Sequence, residues 1–245
     1  MGLWERRDGK GIGLSWKKPD CELGLKLLGY MLFFVRDKRT IDSSMPNQID
    51  SEKLDQALHL LAARLDLAQT EPMGLVICGG SALMAMNLRR RTTRDVDVVA
   101  LLNASHELVS PDPLPDALLE AADQVKRDLG LFDGWLNNGP SRGEGGLFQM
   151  GLPEGLAGRL TERRYGRRLA VYFVSRFDQI HFKLYAAADQ RDGRHLNDLR
   201  ALCPTFAELE SAARWARTHD VSEGFWLVLK ELLGQLGHES IAENL

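Results

Sequence analysis

The chain has 245 residues, a formal net charge of −3, 44% hydrophobic and 27% charged residues. That is the composition of a globular protein with room for one large domain, or a catalytic domain with a helical extension. The weak net negative charge is no signature of a nucleic-acid binder, and the nine-residue apolar run at positions 27–35 is too short to cross a bilayer. The three cysteines, Cys21, Cys78 and Cys203, are far apart and lack Cys-x-x-Cys spacing, which excludes a disulfide framework and a zinc ribbon. They fit a reducing compartment, so a cytoplasmic location without membrane attachment is expected. The six histidines are scattered and form no ligand pair at helical spacing, so a histidine-based hydrolase is poorly supported.

Residues 1–44 combine Gly, Lys and Trp with one apolar run and differ in character from the rest of the chain. A basic flank before such a run mimics a signal peptide, but no small-residue cleavage site follows. Met45 reads as a natural start, so residues 1–44 are expected to be an upstream extension or a poorly ordered arm. Residues 51–68 carry Leu54, Ala57, Leu58, Leu61 and Leu65 at helical spacing, with Ser51 as the expected cap.

Residues 75–101 read LVICGGSALMAMNLRRRTTRDVDVVAL and hold most of the chemistry. Leu75 to Cys78 is a continuous apolar run with β-branched members, which predicts a buried strand. Gly79 and Gly80 end it, permit positive φ and let backbone N–H groups approach a ligand. Ser81 is placed to cap a helix of Ala, Leu and Met, whose free N–H groups suit a phosphate. After thirteen further residues, Asp95-Val96-Asp97-Val98-Val99 alternates with the period of a strand, so both aspartates project from one face. Two close carboxylates are best tolerated around a divalent cation, and hard oxygen ligands select Mg²⁺, with Mn²⁺ as the alternative. Two carboxylates beside a phosphate-binding turn point to metal-assisted nucleotidyl transfer from a nucleoside triphosphate. Separately, a Gly-Gly pair is commonly just a turn, and an Asp-x-Asp pair just a solvated face.

Residues 112–129 are predicted to be a helix entered through a Pro-rich turn, and residues 137–146 a flexible loop by composition, either a lid or a plain connector. Arg89, Arg90, Arg91 and Arg94, with Arg163, Arg164, Arg167 and Arg168, form basic clusters that either contact RNA phosphates or line solvated helix ends. Residues 169–174 predict another strand. On a helix over residues 176–188, Lys183 borders the stripe of Phe177, Ile180, Leu184 and Ala187; it reads as a snorkelling lysine or as a phosphate contact. Asp198 reads as an acid in the first turn of the next helix, or as a functional carboxylate. Residues 205–237 form an apolar helical tail that includes Phe206, Leu209, Ala213, Trp215, Phe225, Leu227 and Leu232. Domain boundaries follow as an extension (1–44), a core (45–188) and a C-terminal helical subdomain (189–245).

The Cys78-Gly79-Gly80-Ser81 turn followed by Asp95-Val96-Asp97 resembles the nucleotidyltransferase fold of the DNA polymerase beta superfamily. The Arg91-x-Thr93-x-Asp95-x-Asp97 form is most similar to the bacterial AbiEii-type and MenA-type branch, and residues 177–187 and 194–202 resemble that branch's lysine-bearing helix and its Asp-Leu segment. The resemblance spans residues 75–202. It implies an α/β (α+β) fold with a small mixed sheet flanked by helices, and an enzyme that moves a nucleoside monophosphate to an acceptor. It implies catalytic roles for Asp95, Asp97, Lys183 and Asp198, metal binding by Asp95 and Asp97, and nucleotide binding by Gly79, Gly80, Ser81 and Lys183. The implied acceptors are a tRNA end, a protein or an antibiotic. Many members of that branch are toxins of toxin–antitoxin pairs, which implies an antitoxin protein as partner. One departure stands out: the superfamily places a third carboxylate on a later strand, and residues 169–174 contain none. Asp198 substitutes for it, or the metal is held more weakly, or the domain is a degenerate nucleotide-binding or regulatory module. A structural protein with surface aspartates is the remaining alternative.

Overall fold

A short apolar run builds the middle of the sheet. In the computed structural model, which describes residues 48–88 and 92–245, β1 (Met73–Cys78) is buried at every position after Met73. Antiparallel β2 (Val96–Leu102) flanks it on one side. The edge strands are β3 (Leu108–Val109) and β5 (Thr161–Arg164), and β4 (Leu136–Asn137) pairs in parallel with the start of β2. Parallel β6 (Leu169–Phe173) flanks β1 on its other side, which gives the order β3-β2-β1-β6-β5. The fold is therefore mixed α/β, with a small mixed sheet flanked by helices. β5, Thr-Glu-Arg-Arg, is exposed throughout, and its charges discourage edge-to-edge pairing.

Helix α1 (Ser51–Leu67) buries Leu54, Ala57, Leu58, Leu61, Ala62 and Leu65 in the sheet's core. Its cap is Asp50, not Ser51: the Asp50 carboxylate accepts from Lys53 N at 2.8 Å, which places Ser51 inside the first turn. Helix α2 (Gly79–Ala85) follows β1 directly. Helix α3 (Asp116–Leu129) begins four residues later than the expected 112, because Pro113 and Pro115 lack N–H groups and bias their predecessors to extended backbone. The short α4 (Leu147–Met150) precedes β5. Beyond the sheet come α5 (Arg176–Gln190), α6 (Gly193–Ala201), α7 (Phe206–His219), α8 (Glu223–Gln235) and α9 (Glu239–Glu243).

These helices share a second apolar cluster, with Leu83 of α2 joining Ile180, Leu184, Leu199, Leu209, Ala213, Leu229 and Leu233. The expected boundary at 188/189 falls within α5, which supplies Phe182 to the sheet's core and Ile180 and Leu184 to the helical cluster. Phe206 and Leu227, named among the apolar residues of the tail, are 41% and 60% exposed. The expected extension at residues 1–44 lies outside the described residues, as do Cys21, Arg89, Arg90 and Arg91. Among the described residues no helix is long and apolar enough to cross a membrane.

The Gly-rich stretch expected to be flexible is tied down. Ser141 Oγ, fully buried, donates to Val99 O at 2.7 Å. Asn138 Nδ2 donates to Pro111 O at 2.9 Å, and Gly143 N donates to Asp112 Oδ2 at 2.8 Å. Removing the first bond in Ser141→Ala should cost about 1 kcal/mol, and hydrogen exchange around residues 139–146 should quicken more than in α1.

Candidate functional site

The C-terminal end of β1 meets the N-terminal end of β2 at a point where the pairing register slips. Val76 pairs with Ala100 but Ile77 pairs with Val98, leaving Val99 as an extra residue on β2. This β-bulge re-aims the following side chains and sets Asp97 opposite Cys78. Gly79 is next in the chain with φ 71°, and a Cβ there would lie 2.6 Å from Asp97 Oδ2. Glycine is therefore required twice over, by conformation and by the carboxylate that fills its side-chain space. Gly80 has ordinary φ, but a Cβ there would come within 2.9 Å of Thr93 Oγ1. That hydroxyl is 3.3 Å from both the carbonyl and Oδ1 of Asp95. The Thr93 segment is in turn bridged to Ile49, with Ile49 N donating to Thr93 O at 2.7 Å and Thr93 N to Ile49 O at 2.9 Å.

These groups open into a cleft of ≈ 1120 Å³ lined by Gly79, Gly80, Asp95, Asp97, Lys183 and Asp198 among others. Six of the seven residues singled out in the sequence thus meet in one place. Ser81 is the exception: it is fully buried, and its hydroxyl donates to Cys78 O at 3.2 Å. Its expected capping role is not seen, since α2 begins at Gly79 with Cys78 as its cap. The α2 helix has seven residues, too short to bring much of a macrodipole to a phosphate.

Lys183 does not snorkel. It is 6% exposed, and its Nζ lies 3.1 Å from Asp198 Oδ2. Asp198 is 5% exposed and sits mid-way along α6, not in its first turn. The ammonium also acts on Asp97, whose carboxyl is pushed up from 3.8 to about 6. Burial is the largest cause and the charge of Asp95 the second, while Lys183 and an Asn137 hydrogen bond pull the other way. The Cys78 thiol is pushed up strongly, by burial first and then by Asp97, so it stays protonated and is no nucleophile.

The chemistry of the donor set suits a hard divalent cation. Asp97 sits at a cradle that a Cβ at Gly79 would fill, and the charge of Asp95 adds to burial in raising it. Among the described residues no group of three or more His, Cys, Asp or Glu side chains is arranged to hold a metal. A two-carboxylate site matches Mg²⁺, which keeps waters and takes other ligands from substrate phosphates. Arg94 and Arg142 line the same cleft without a carboxylate partner among the described residues. Arg163 and Arg168 are turned to backbone carbonyls, those of Ala85 and Thr70.

Sequence reading missed several lining residues. The cleft-facing positions of α5 include Gln179, Lys183, Ala186 and Gln190, spaced as one helical face; that periodicity from Lys183 was the available signal. Four buried side-chain atoms of the described residues lack a hydrogen-bond partner, and three of them, Gln179 Oε1, His195 Nδ1 and His219 Nε2, belong to residues lining this cleft. Buried polar atoms without a hydrogen-bond partner are uncommon in folded proteins. No protein-family model, curated protein or solved structure matches the chain.

Two outcomes check this geometry. Asp97 carries an ordinary carboxyl value in the unfolded chain and about 6 in the fold, so its ionisation destabilises the protein fully above that value and not at all below the ordinary range. In metal-free protein, Asp97→Asn should raise Tm at neutral pH, with the gain shrinking as pH falls through 6; each kcal/mol is worth about 2–4 °C. Lys183→Met removes the ammonium paired with the buried Asp198 carboxylate and should cost about 3–5 kcal/mol, whereas Lys183→Met with Asp198→Asn should lose less in urea denaturation.

Proposed function

We propose that the protein is a metal-dependent nucleotidyltransferase with a nucleotidyltransferase-type core. The observation that carries the reading is the Asp95–Asp97 pair, seated against Gly79 in a cleft that also holds Lys183, Arg94 and Arg142. An acceptor oxygen attacks the α-phosphorus of a nucleoside triphosphate, and pyrophosphate leaves. Asp95 and Asp97 would hold Mg²⁺, or Mn²⁺, which supplies charge neutralisation and orientation to the phosphates when bound. Lys183, kept in place by Asp198, presents a fixed positive charge where charge develops on the transferring group. Arg94 and Arg142 add cationic contacts for the remaining phosphates, and the backbone at Gly79 and Gly80 admits the ligand closely.

The absence of an acid on β6 is compatible with this reading. Asp198 is held by Lys183 and orients it, so it is assigned a positioning role in place of a third metal ligand. By the resemblance noted in the sequence, the proposal extends to a tRNA end as acceptor and to a toxin restrained by an antitoxin protein.

The test is label transfer from each α-labelled nucleoside triphosphate, with Mg²⁺, to total tRNA and to protein. Wild type is expected to label one fraction, and Asp97→Ala neither. Mg²⁺ with the same nucleotide should raise the Tm of the wild type and leave that of Asp97→Ala unchanged. Binding without transfer to any acceptor would favour a regulatory nucleotide-binding module.

A further inference from the structure

The bulge that sets Asp97 opposite Cys78 is held by β4 and the turn that follows it. A bulged residue is left out of the strand ladder; here that residue is Val99, and the fully buried Ser141 hydroxyl donates to its carbonyl at 2.7 Å. Two residues earlier on β2, Asp97 is in register with Asn137 of parallel β4. Residues in register on neighbouring strands project from the same face, with the strands about 4.8 Å apart. The Asn137 side chain therefore stands beside the Asp97 carboxylate, which accepts a hydrogen bond from it. Asn137 and Ser141 thus grip β2 on either side of Val98.

The orientation of the Asn137 amide is decided by backbone groups. Its Oδ1 accepts from Gly139 N at 2.7 Å, and its Nδ2 donates to Gly134 O at 3.3 Å. A backbone N–H only donates and a carbonyl only accepts, so turning the amide over would lose both bonds. The amide nitrogen carries two hydrogens, and the second is the one available to Asp97. Gly139 leaves room for this arrangement: a Cβ there would lie 2.8 Å from Asn137 Oδ1. Gly79 does the same for Asp97 Oδ2. Asp97 and Gly139 line the cleft and Asn137 does not, so the route from this amide to a bound cation runs through Asp97.

We propose that Asn137 is a positioning residue of the cation site, resting on the metal-dependent nucleotidyl-transfer reading above. Its Nδ2–H holds the Asp97 carboxylate in one orientation and leaves the other lone pairs of that carboxylate for the cation. Ligating carboxylates are themselves hydrogen-bonded, and loss of such an outer partner costs about 10–100-fold in metal affinity or activity.

The same turn carries Arg142, which lines the cleft and whose Nη2 lies 3.4 Å from Asn138 Oδ1. Residues 137–142 therefore link a cation ligand to an arginine assigned to the phosphates. An Asx turn by itself needs only Oδ1 on Gly139 N, and two substitutions separate that duty from the one toward Asp97. Asn137→Ser keeps a side-chain oxygen to accept from Gly139 N but loses the amide that donates to Asp97. Asn137→Ala keeps neither.

The experiment measures binding of Mn²⁺ alone by EPR, and Tm without metal, for wild type, Asn137→Ser and Asn137→Ala. Label transfer is followed in parallel at increasing Mg²⁺. Asn137→Ser is expected to melt above Asn137→Ala in metal-free protein, because its turn is kept. Its Mn²⁺ affinity is expected to fall about 10-fold or more, and the Mg²⁺ concentration for half-maximal transfer to rise in step. Asn137→Ala is expected to bind no better than Asn137→Ser. Wild-type Mn²⁺ affinity in Asn137→Ser, or an affinity that follows metal-free Tm across the three proteins, would overturn the inference and leave the nucleotidyl-transfer reading standing. Wild type that binds no Mn²⁺ would also overturn it, and the nucleotidyl-transfer reading falls with it only if no acceptor is labelled.

Discussion

Burial and the neighbouring charge of Asp95 both oppose ionisation of Asp97, and the arrangement around that carboxylate answers this cost. Gly79 gives up its side-chain space to the carboxylate oxygen. Thr93 and Ile49 hold the turn that carries Asp95. Lys183, which lines the same cleft, contributes a positive charge and is itself paired with Asp198. A fold selected for stability alone gains nothing from two partly buried like charges. That cost, at one end of the central strand pair, is the physical reason the proposed function rests on these two residues.

Helix α5 is what joins this end of the sheet to the rest of the molecule. Phe182 packs into the sheet's core, Ile180 and Leu184 into the helical cluster, and Gln179, Lys183 and Gln190 face the cleft. A helix buried on two sides has little freedom to rotate or slide, so its third face presents polar groups in fixed positions. The same rigidity extends to α6, whose Asp198 and His195 are bonded to Lys183 and Gln190 respectively. The C-terminal helices therefore complete the cleft as well as packing behind the sheet. The pinned turn around Ser141 also contributes to the wall, through Gly139, Pro140, Arg142, Gly145 and Gly146. Its Gly-rich composition suggested mobility because composition reports backbone freedom, while the hydrogen bonds to Val99 and Asp112 that remove this freedom come from distant parts of the chain.

The elements themselves were largely legible. The apolar run at residues 75–78, the alternation at 95–99 and the leucine stripe of α1 are local patterns with one good structural solution each, and strands and helices formed there. Gly79, Gly80, Asp95, Asp97, Lys183 and Asp198 were singled out by residue type and spacing, and the structure brings them to one cleft. Ser81 was misassigned as a cap because its type is right for one, yet the helix starts two residues earlier and its hydroxyl turns inward. Asp50 in place of Ser51 is the same kind of error.

By itself, the sequence determined which segments are strands and helices, and that acidic, glycine and lysine positions with site-like chemistry exist, because periodicity and residue type are local properties. Tertiary structure alone decided the β-bulge that aligns Asp97 with Cys78, the ion pair that pins the buried Lys183 to Asp198, and the contact between the His195 ring and the Gln190 side chain. Each depends on a one-residue register, or on the approach of two elements, that no local pattern encodes. Register and approach arise from how whole faces pack together, and packing is a property of the assembled chain.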